Sequence, residues 1–191
     1  PRAEGATVLT PDDIMAGTRP EGPVVVFDDD HYYMGGVMAE LLRSEGLAVT
    51  LVTPAADVSH WTHYTLEQGR IQKRLMEMGV EIAALHGLSE IGRESATLEC
   101  VYTGREREVP CAAVVMVTMR LPEETLFRGV EAAVAEGRGA APKSLLRIGD
   151  CLAPGTIAAA VWQGHRYARE LGERASDAVP FRRELPAIAR D

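Results

Sequence analysis

The stretch VVVFDDDHYYMGGVMAELLRSEGLAVTLVTP, residues 24–54, constrains the fold of this chain more than any other. VVVF at 24–27 is a continuous apolar run of the buried-strand type, and AVTLVT at 48–53 is another. Between them, residues 35–45 have the apolar spacing of a helix, which ends at Gly46. A strand, a helix and a second strand within about thirty residues predict a βαβ unit with a right-handed crossover.

Two amphipathic helices are predicted to pack on this sheet. The first, over 35–45, turns these side chains inward: Val37, Leu41 and Leu42. The second, over 64–79, turns these inward: Leu66, Ile71, Leu75 and Met78. We therefore expect both helices to contribute to one hydrophobic core.

The apolar pattern changes after VEIAAL at 80–85, which we interpret as the third parallel strand. Alternation over 96–103 and 106–111, together with the apolar run at 112–119, predicts a small antiparallel meander that ends in one buried strand. The predicted class is α/β, a Rossmann-like parallel sheet with an antiparallel three-stranded meander. This is the layout of the NAD(P) domain of glutathione-reductase-like flavoproteins.

Both flanks of this region have patterns of their own. Residues 1–22 contain TPDDIMAG, which predicts one short helix with a Thr cap and Pro at its first position. The elements predicted beyond Leu121 are a helix over 123–136, a strand LLRIGD at 145–150, a helix over 155–171 and an exposed tail at 180–191.

Composition excludes several classes of function. The net charge is −8, with 28 acidic and 20 Lys or Arg residues, so we expect no nucleic-acid partner. Without a membrane-length apolar run or a basic–apolar leader, we expect no membrane association. Cys100, Cys111 and Cys151 lack a paired spacing, which favours a reducing cytoplasm. Because the chain starts at Pro1, we expect a piece of a longer protein.

The turn after the first strand is where a dinucleotide-binding fold has its glycine fingerprint. Counting back from Gly35 as the third glycine, the first two positions fall on Asp30 and Tyr32. Carboxylates repel a diphosphate, and a tyrosine is bulky where the phosphate must come close. Thr53 stands where an acidic residue would hold the adenine ribose. The sequence favours a lost phosphate site, and cofactor binding at Gly35 and Gly36 remains the alternative.

Two further interpretations concern the same acidic turn. The favoured one is structural: residues 28–30 cap the following helix and bind turn amides, while residues 31–33 fill the space of a cofactor. A phosphoacceptor receiver domain would need a lysine at the end of a later strand. Lys73 and Lys143 lie in a predicted helix and a loop, so this alternative is disfavoured.

His60, His63 and His86 lie near one another in the sequence, with Trp61 among them. A zinc site would need a fixed helical spacing or matching cysteine ligands. We therefore interpret them as surface or loop histidines and predict no metal.

Three stretches carry a resemblance to a known family: FDDDHYYMGGVMAELLRSEGLAVTLVTP, HWTHYTLEQGRIQKRLMEMGVEI and IGDCLAPGTIAAAVWQGHRYAREL. They resemble the C-terminal region of the trimethylamine dehydrogenase family, which includes dimethylamine and histamine dehydrogenases and is related to 2,4-dienoyl-CoA reductase. The resemblance implies a fragment of an oxidoreductase that uses FMN and a 4Fe–4S cluster. Such an enzyme oxidises an N-methylated amine and passes electrons to an electron-transferring flavoprotein.

The resemblance also implies a division of the chain. Residues 23–121 would be an NAD(P)-binding-like domain, and residues 1–22 and 122–191 would belong to a larger FAD- or ADP-type domain. No catalytic residue and no cofactor are expected in this fragment, whereas the full-length protein would hold FMN and the cluster, with ADP or FAD as an additional candidate. The expected partners are the remaining domains, the electron-transferring flavoprotein and a second copy.

One motif is carried over residue by residue. IGD at 148–150 resembles the second flavin-contacting motif of such enzymes, which makes Gly149 and Asp150 candidate cofactor-binding residues. Simple capping of the strand-to-helix turn by Asp150 is the other interpretation. The alternative function implied by the resemblance is an NAD(P)H-binding domain of an enoate or dienoyl-CoA reductase-like enzyme.

Overall fold

The protein forms two units, Pro1–Met119 and Arg120–Asp191, of which a computed structural model describes residues 1–140 and 142–172. The tail predicted at 180–191 lies outside the described residues. Among the described helices, none combines the length and the apolar character needed to cross a membrane.

Eight strands and three α-helices make up the first unit. The strands are β1 (Val8–Leu9), β2 (Val24–Asp28), β3 (Val49–Thr53), β4 (Glu81–Ala84), β5 (His86–Ile91), β6 (Ser95–Cys100), β7 (Glu106–Pro110) and β8 (Ala113–Val117). The helices are α1 (Pro11–Met15), α2 (Met34–Ser44) and α3 (Gln68–Glu77), with a 3₁₀ helix at His60–His63. The described part of the second unit contains α4 (Thr125–Ala135), a 3₁₀ turn at Gly149–Cys151 and α5 (Ile157–Glu170).

The strands form two sheets, as the sequence predicts. Five parallel strands have the order β1-β8-β2-β3-β4, and three antiparallel strands have the order β5-β6-β7. The α/β class with a parallel sheet and a three-stranded antiparallel sheet is therefore confirmed. The prediction lacks the first strand of the small sheet, β5, because HGLSEI contains only two large apolar residues. The run at 112–119, predicted to end the meander, instead forms β8 in the parallel sheet, between β1 and β2.

Alternation along β2 divides the core between the two faces of the parallel sheet. Val24 and Val26 join a cluster with Met38 and Leu42 of α2, whereas Val25 packs with residues of the small sheet on the opposite face. Both faces of β2 are thus covered, which is why this strand reads as an uninterrupted apolar run.

The buried face of helix α2 differs in part from the predicted one. Val37, predicted to face inward, is 51% exposed, so this part of the prediction is wrong. The buried positions are Gly35, Gly36, Met38, Ala39 and Leu42, a face that leaves residue 37 outside it. Glycine and alanine bring the helix backbone close to the sheet, a burial that side-chain hydrophobicity does not reveal.

Helix α3 begins at Gln68 rather than at the predicted residue 64. Leu66 has a left-handed backbone (φ 61°) and is 93% exposed, so its predicted inward position is wrong. The chain must leave the 3₁₀ helix through this turn before α3 can start. Leu75 is buried and Ile71 packs against the core, as the helical spacing predicts.

The second unit contains both predicted helices, α4 and α5, each within two residues of its predicted bounds at all ends described. The strand predicted at 145–150 is wrong: 145–148 has no regular structure and Gly149–Cys151 is a 3₁₀ turn. Among its described residues this unit has no strand, so a strand at 145–150 would have no partner for ladder hydrogen bonds.

The N-terminal strand, β1, belongs to the parallel sheet of the first unit. Val8 and Leu9 of β1 pair with Val114 and Val115 of β8. The assignment of residues 1–22 to a larger FAD-type domain, and the division at residue 121, stay predictions.

Candidate functional site

The candidate site lies at the carboxyl ends of β2, β3 and β8. In open α/β sheets, ligands bind at this edge where connections leave a central strand in opposite directions. Here β2 has β3 on one side and β8 on the other. The acidic turn leaves β2 at this place, and the amide of Asp29 donates to the carbonyl of Val117 at 2.9 Å.

Asp28, the last residue of β2, is completely buried at this edge. Its Oδ1 accepts a hydrogen bond from the amide of His31 at 3.0 Å, while Oδ2 is buried without a partner among the described residues. Burial raises the pKa of Asp28 to about 6, only partly offset by that amide and by the nearby His31 ring. The carboxyl therefore faces inward and not toward a ligand in the crevice.

Gly35 lies directly against this buried carboxyl. A Cβ added to Gly35 would stand 2.3 Å from Cγ of Asp28 and 2.5 Å from its Oδ2, far inside van der Waals contact. The missing side chain therefore makes room for Asp28 under the first turn of α2. Its role as a cofactor-binding glycine stays a prediction, and the structure provides a packing reason for the same residue.

Gly36 lies on the side of α2 that meets α3. A Cβ there would stand 3.2 Å from Oγ of Ser59 and 3.3 Å from Cγ2 of Ile71. Gly36 thus sets the distance between helices, and its predicted cofactor contact is likewise untested. Ser59 is buried, and its Oγ, like Oδ2 of Asp28, has no partner among the described residues.

The acidic turn contributes amide contacts but no cap to α2. The N-cap residue of α2 is Tyr33, whose side chain makes no capping hydrogen bond. The predicted capping by residues 28–30 is therefore wrong, whereas the predicted bonding to a turn amide is confirmed at Asp28.

His31 covers the end of β3, where a dinucleotide-binding fold holds the ribose. Its backbone is left-handed (φ 59°), and its Nδ1 lies 3.3 Å from Oγ1 of Thr53. Its Nε2 lies 3.4 Å from a carboxylate oxygen of Asp29. The crevice at this edge thus contains an imidazole and carboxylates in place of open glycine amides, a poor match for a diphosphate.

Gly149 and Asp150 lie together in the second unit, in the turn before α5. The amide of Gly149, whose φ is 60°, donates to Oε1 of Gln163 at 2.8 Å. The carboxylate of Asp150 accepts from the amide of Gly155 at 3.3 Å, and Thr156 caps α5 through the amide of Ala159. These contacts fit the capping interpretation of Asp150, and flavin contact by this pair stays a prediction.

The structure groups the histidines differently from the sequence. Nδ1 of His86 contacts the carbonyl of Ala84 at 2.7 Å, and His86 is not part of the group that the other two form. His60 and His63 instead share Asp57, with nitrogen-to-oxygen distances of 2.7 Å each. Burial raises the pKa of Asp57, but hydrogen bonds to His63 and His60 outweigh it and lower that pKa overall. The spacing 57, 60, 63 is the signal that could have identified this group.

Comparisons with known proteins give a family and several relatives. The family of the OYE-like second alpha/beta domain matches residues 9–112. Dimethylamine dehydrogenase of Hyphomicrobium sp. (strain x) is 28% identical over 200 residues, 94% of this chain and 27% of that protein.

Two solved structures are also similar. Histamine dehydrogenase from Rhizobium sp. 4-9 is 47% identical with a TM-score of 0.90, over 100% of this chain and 30% of that one. The 6-hydroxypseudooxynicotine amine oxidase from Pseudomonas geniculata N1 is 41% identical with a TM-score of 0.79, over 86% and 24%. The chain thus spans less than a third of the length of each of these relatives.

Proposed function

The chain belongs to the family of the OYE-like second alpha/beta domain, and from that premise we propose that it is part of a flavin-dependent amine dehydrogenase. In the longer enzyme, FMN and a 4Fe–4S cluster outside this chain would oxidise an N-methylated or related amine. Electrons would leave for an electron-transferring flavoprotein in the cytoplasm. The supporting observation is 47% identity to histamine dehydrogenase over the whole chain.

Within that enzyme, we assign the first unit a structural role. We propose that its parallel sheet derives from a Rossmann-like sheet of the NAD(P)-domain type, in which buried Asp28 and packed Gly35 now occupy the place of a phosphate-binding turn. His31 lies over the end of β3, next to Thr53. These contacts oppose the alternative function as an NAD(P)H-binding domain of a reductase.

The second unit would be completed by the rest of the larger domain. No residue of α4 or α5 is buried among the described residues, so each helix has apolar side chains left to cover. The turn at Gly149 and Asp150 would then lie next to an ADP or FAD held by that domain. A second copy of the enzyme is a further proposed partner.

Amine oxidation tests the proposal on the gene product that contains this sequence. Purified with its cofactors, it should reduce an artificial electron acceptor with at least one of trimethylamine, dimethylamine and histamine. NADH-dependent reduction of an enoyl-CoA, with no amine oxidised, would contradict the proposal and favour the reductase alternative.

Calorimetric titration tests the structural role separately. We expect no saturable heat when NADH, NADPH or ADP is added to this chain, since Asp28 and Gly35 occupy the place where its first unit would bind a diphosphate. Saturable NADH binding that weakens in Tyr32→Glu, but not in the matched surface variant Tyr102→Glu, would overturn the structural role. Amine oxidation could still hold in that case.

A further inference from the structure

The segment between β3 and α3 brings three metal-ligating side chains to one point of the surface. Asp57, His60 and His63 each offer one ligand atom, and these atoms lie within 4.8 Å of one another. We propose that they form a binding site for a divalent transition-metal ion of the zinc class. This site is separate from the crevice at the end of β2 and is independent of amine oxidation.

The donor set determines which ions fit. Nδ1 of His60 lies 2.7 Å from Oδ1 of Asp57, and Nε2 of His63 lies 2.7 Å from Oδ2 of the same carboxylate. Two imidazoles and one carboxylate suit Zn²⁺, Co²⁺ and Ni²⁺, whereas Mg²⁺ and Ca²⁺ prefer oxygen ligands alone. The ion would replace the protons that now join the imidazoles to the carboxylate.

The backbone that carries the three ligands is held in place. Ser59 has a left-handed backbone (φ 51°), and its carbonyl accepts from the hydroxyl of Thr62 at 2.7 Å. The amide of Trp61 donates to the carbonyl of His31 at 2.8 Å. Gln68 donates to the carbonyl of buried Val58 at 3.2 Å. Metal binding would therefore order few groups that are not already ordered.

The site is open on one side. The side chains of His60 and His63 are 49% and 52% exposed, while that of Asp57 is 24% exposed. Three protein ligands leave the fourth position of a tetrahedral ion to water or an external donor. This arrangement is that of an open zinc site and not of a closed structural one.

Titration of the metal-free chain with CoCl₂ tests the site, because tetrahedral Co²⁺ absorbs visible light intensely. We expect one ion per chain, displaced by ZnCl₂ and not by MgCl₂. His60→Gln, His63→Gln and Asp57→Asn should each weaken binding by more than about tenfold, since loss even of groups bonded to ligands costs about 10–100-fold. His86→Gln and His165→Gln are the matched controls and should bind like the wild type.

Three results would overturn the proposal. One is no saturable absorption at millimolar Co²⁺. Another is binding in His60→Gln and His63→Gln as tight as in His86→Gln, which would assign the ion to other surface groups. The third is an absorption spectrum of six-coordinate Co²⁺ that the three ligand variants leave unchanged. Melting curves of the metal-free variants check that each is folded.

Discussion

Asp28, whose carboxyl is buried at the end of β2, is the residue of the acidic turn with the greatest effect on its structure. Asp28 receives one amide hydrogen bond, and its second oxygen has no partner among the described residues. The charged form is therefore poorly solvated, and burial raises its pKa to about 6. Its neighbour Asp29, by contrast, is half-exposed and contacts the ring of His31.

This pKa predicts a pH dependence of stability. Since the folded pKa, about 6, exceeds the ordinary value of 3.8, folding favours protonated Asp28. Its contribution is full below pH 3.8 and is lost as the pH rises through 6. The Asp28→Asn variant lacks this pH-dependent loss of stability. Its free energy of unfolding, minus that of the wild type, should therefore increase by about 2 kcal/mol between pH 4 and pH 7.

Urea unfolding of both proteins across this pH range measures the difference. Asp12→Asn, at an exposed position outside this turn, is the matched control and should show a difference that changes little with pH. If the free energy of unfolding of Asp28→Asn changes with pH in parallel with that of the wild type, the buried carboxyl keeps an ordinary pKa.

Helix α2 can approach the end of β2 closely because the glycines of its first turn have no side chain. Gly35 and Gly36 are both buried in the first turn of α2, against Asp28 on one side and Ser59 on the other. Tyr33 ties the same turn to the segment before α3, through hydrogen bonds of its hydroxyl to Glu67 and to Thr65. These contacts therefore fix the position of α2 and the conformation of the acidic turn at the same time.

Gly35→Ala should destabilise the protein by about 1–3 kcal/mol, because its Cβ would overlap Asp28. Gly69→Ala in α3, where nothing lies within 4 Å, is the matched control and should be neutral or stabilising. Chemical denaturation gives both values. In an Asp28→Gly background the cost of Gly35→Ala should shrink, and an unchanged cost would show that this contact is not its cause.

At the scale of the whole molecule, the two units differ in how their helices are stabilised. In the first unit, α2 and α3 bury side chains such as Leu42 and Leu75 in a core shared with the parallel sheet. In the described part of the second unit, α4 and α5 bury none. Intrahelical bonds alone are marginal for helices of 11 and 14 residues.

Amide hydrogen exchange should therefore be faster in the helices of the second unit than in the central strands of the first. Amides of α4 and α5 should exchange through low-energy local opening, while those of β2, β3 and β8 should exchange only with global unfolding of their unit. Mass spectrometry of peptides from both units measures this. Equal protection in α5 and β2 would contradict the expectation and would point to packing of α5 that the described residues do not provide.

Much of the fold follows from local pattern, and the failures have physical causes. The apolar run of β2 and the cap at Thr10, which accepts from the amide of Asp13 at 3.2 Å, are local signals and are confirmed. The strand at 145–150 fails because a strand needs a neighbour. The prediction for Val37 is wrong because the buried face of α2 runs through Gly35, Met38, Ala39 and Leu42 and leaves residue 37 outside it.

By itself, the sequence determined the α/β class, the βαβ order and the mismatch between an acidic turn and a diphosphate, because each rests on neighbouring residues. Only the tertiary structure decided that Asp28 is buried against Gly35 and that Asp57 joins His60 and His63. Those contacts depend on where a turn and a 3₁₀ helix place side chains in space. Left-handed backbones at His31 and Ser59 set those positions, and no local pattern of residue types predicts them.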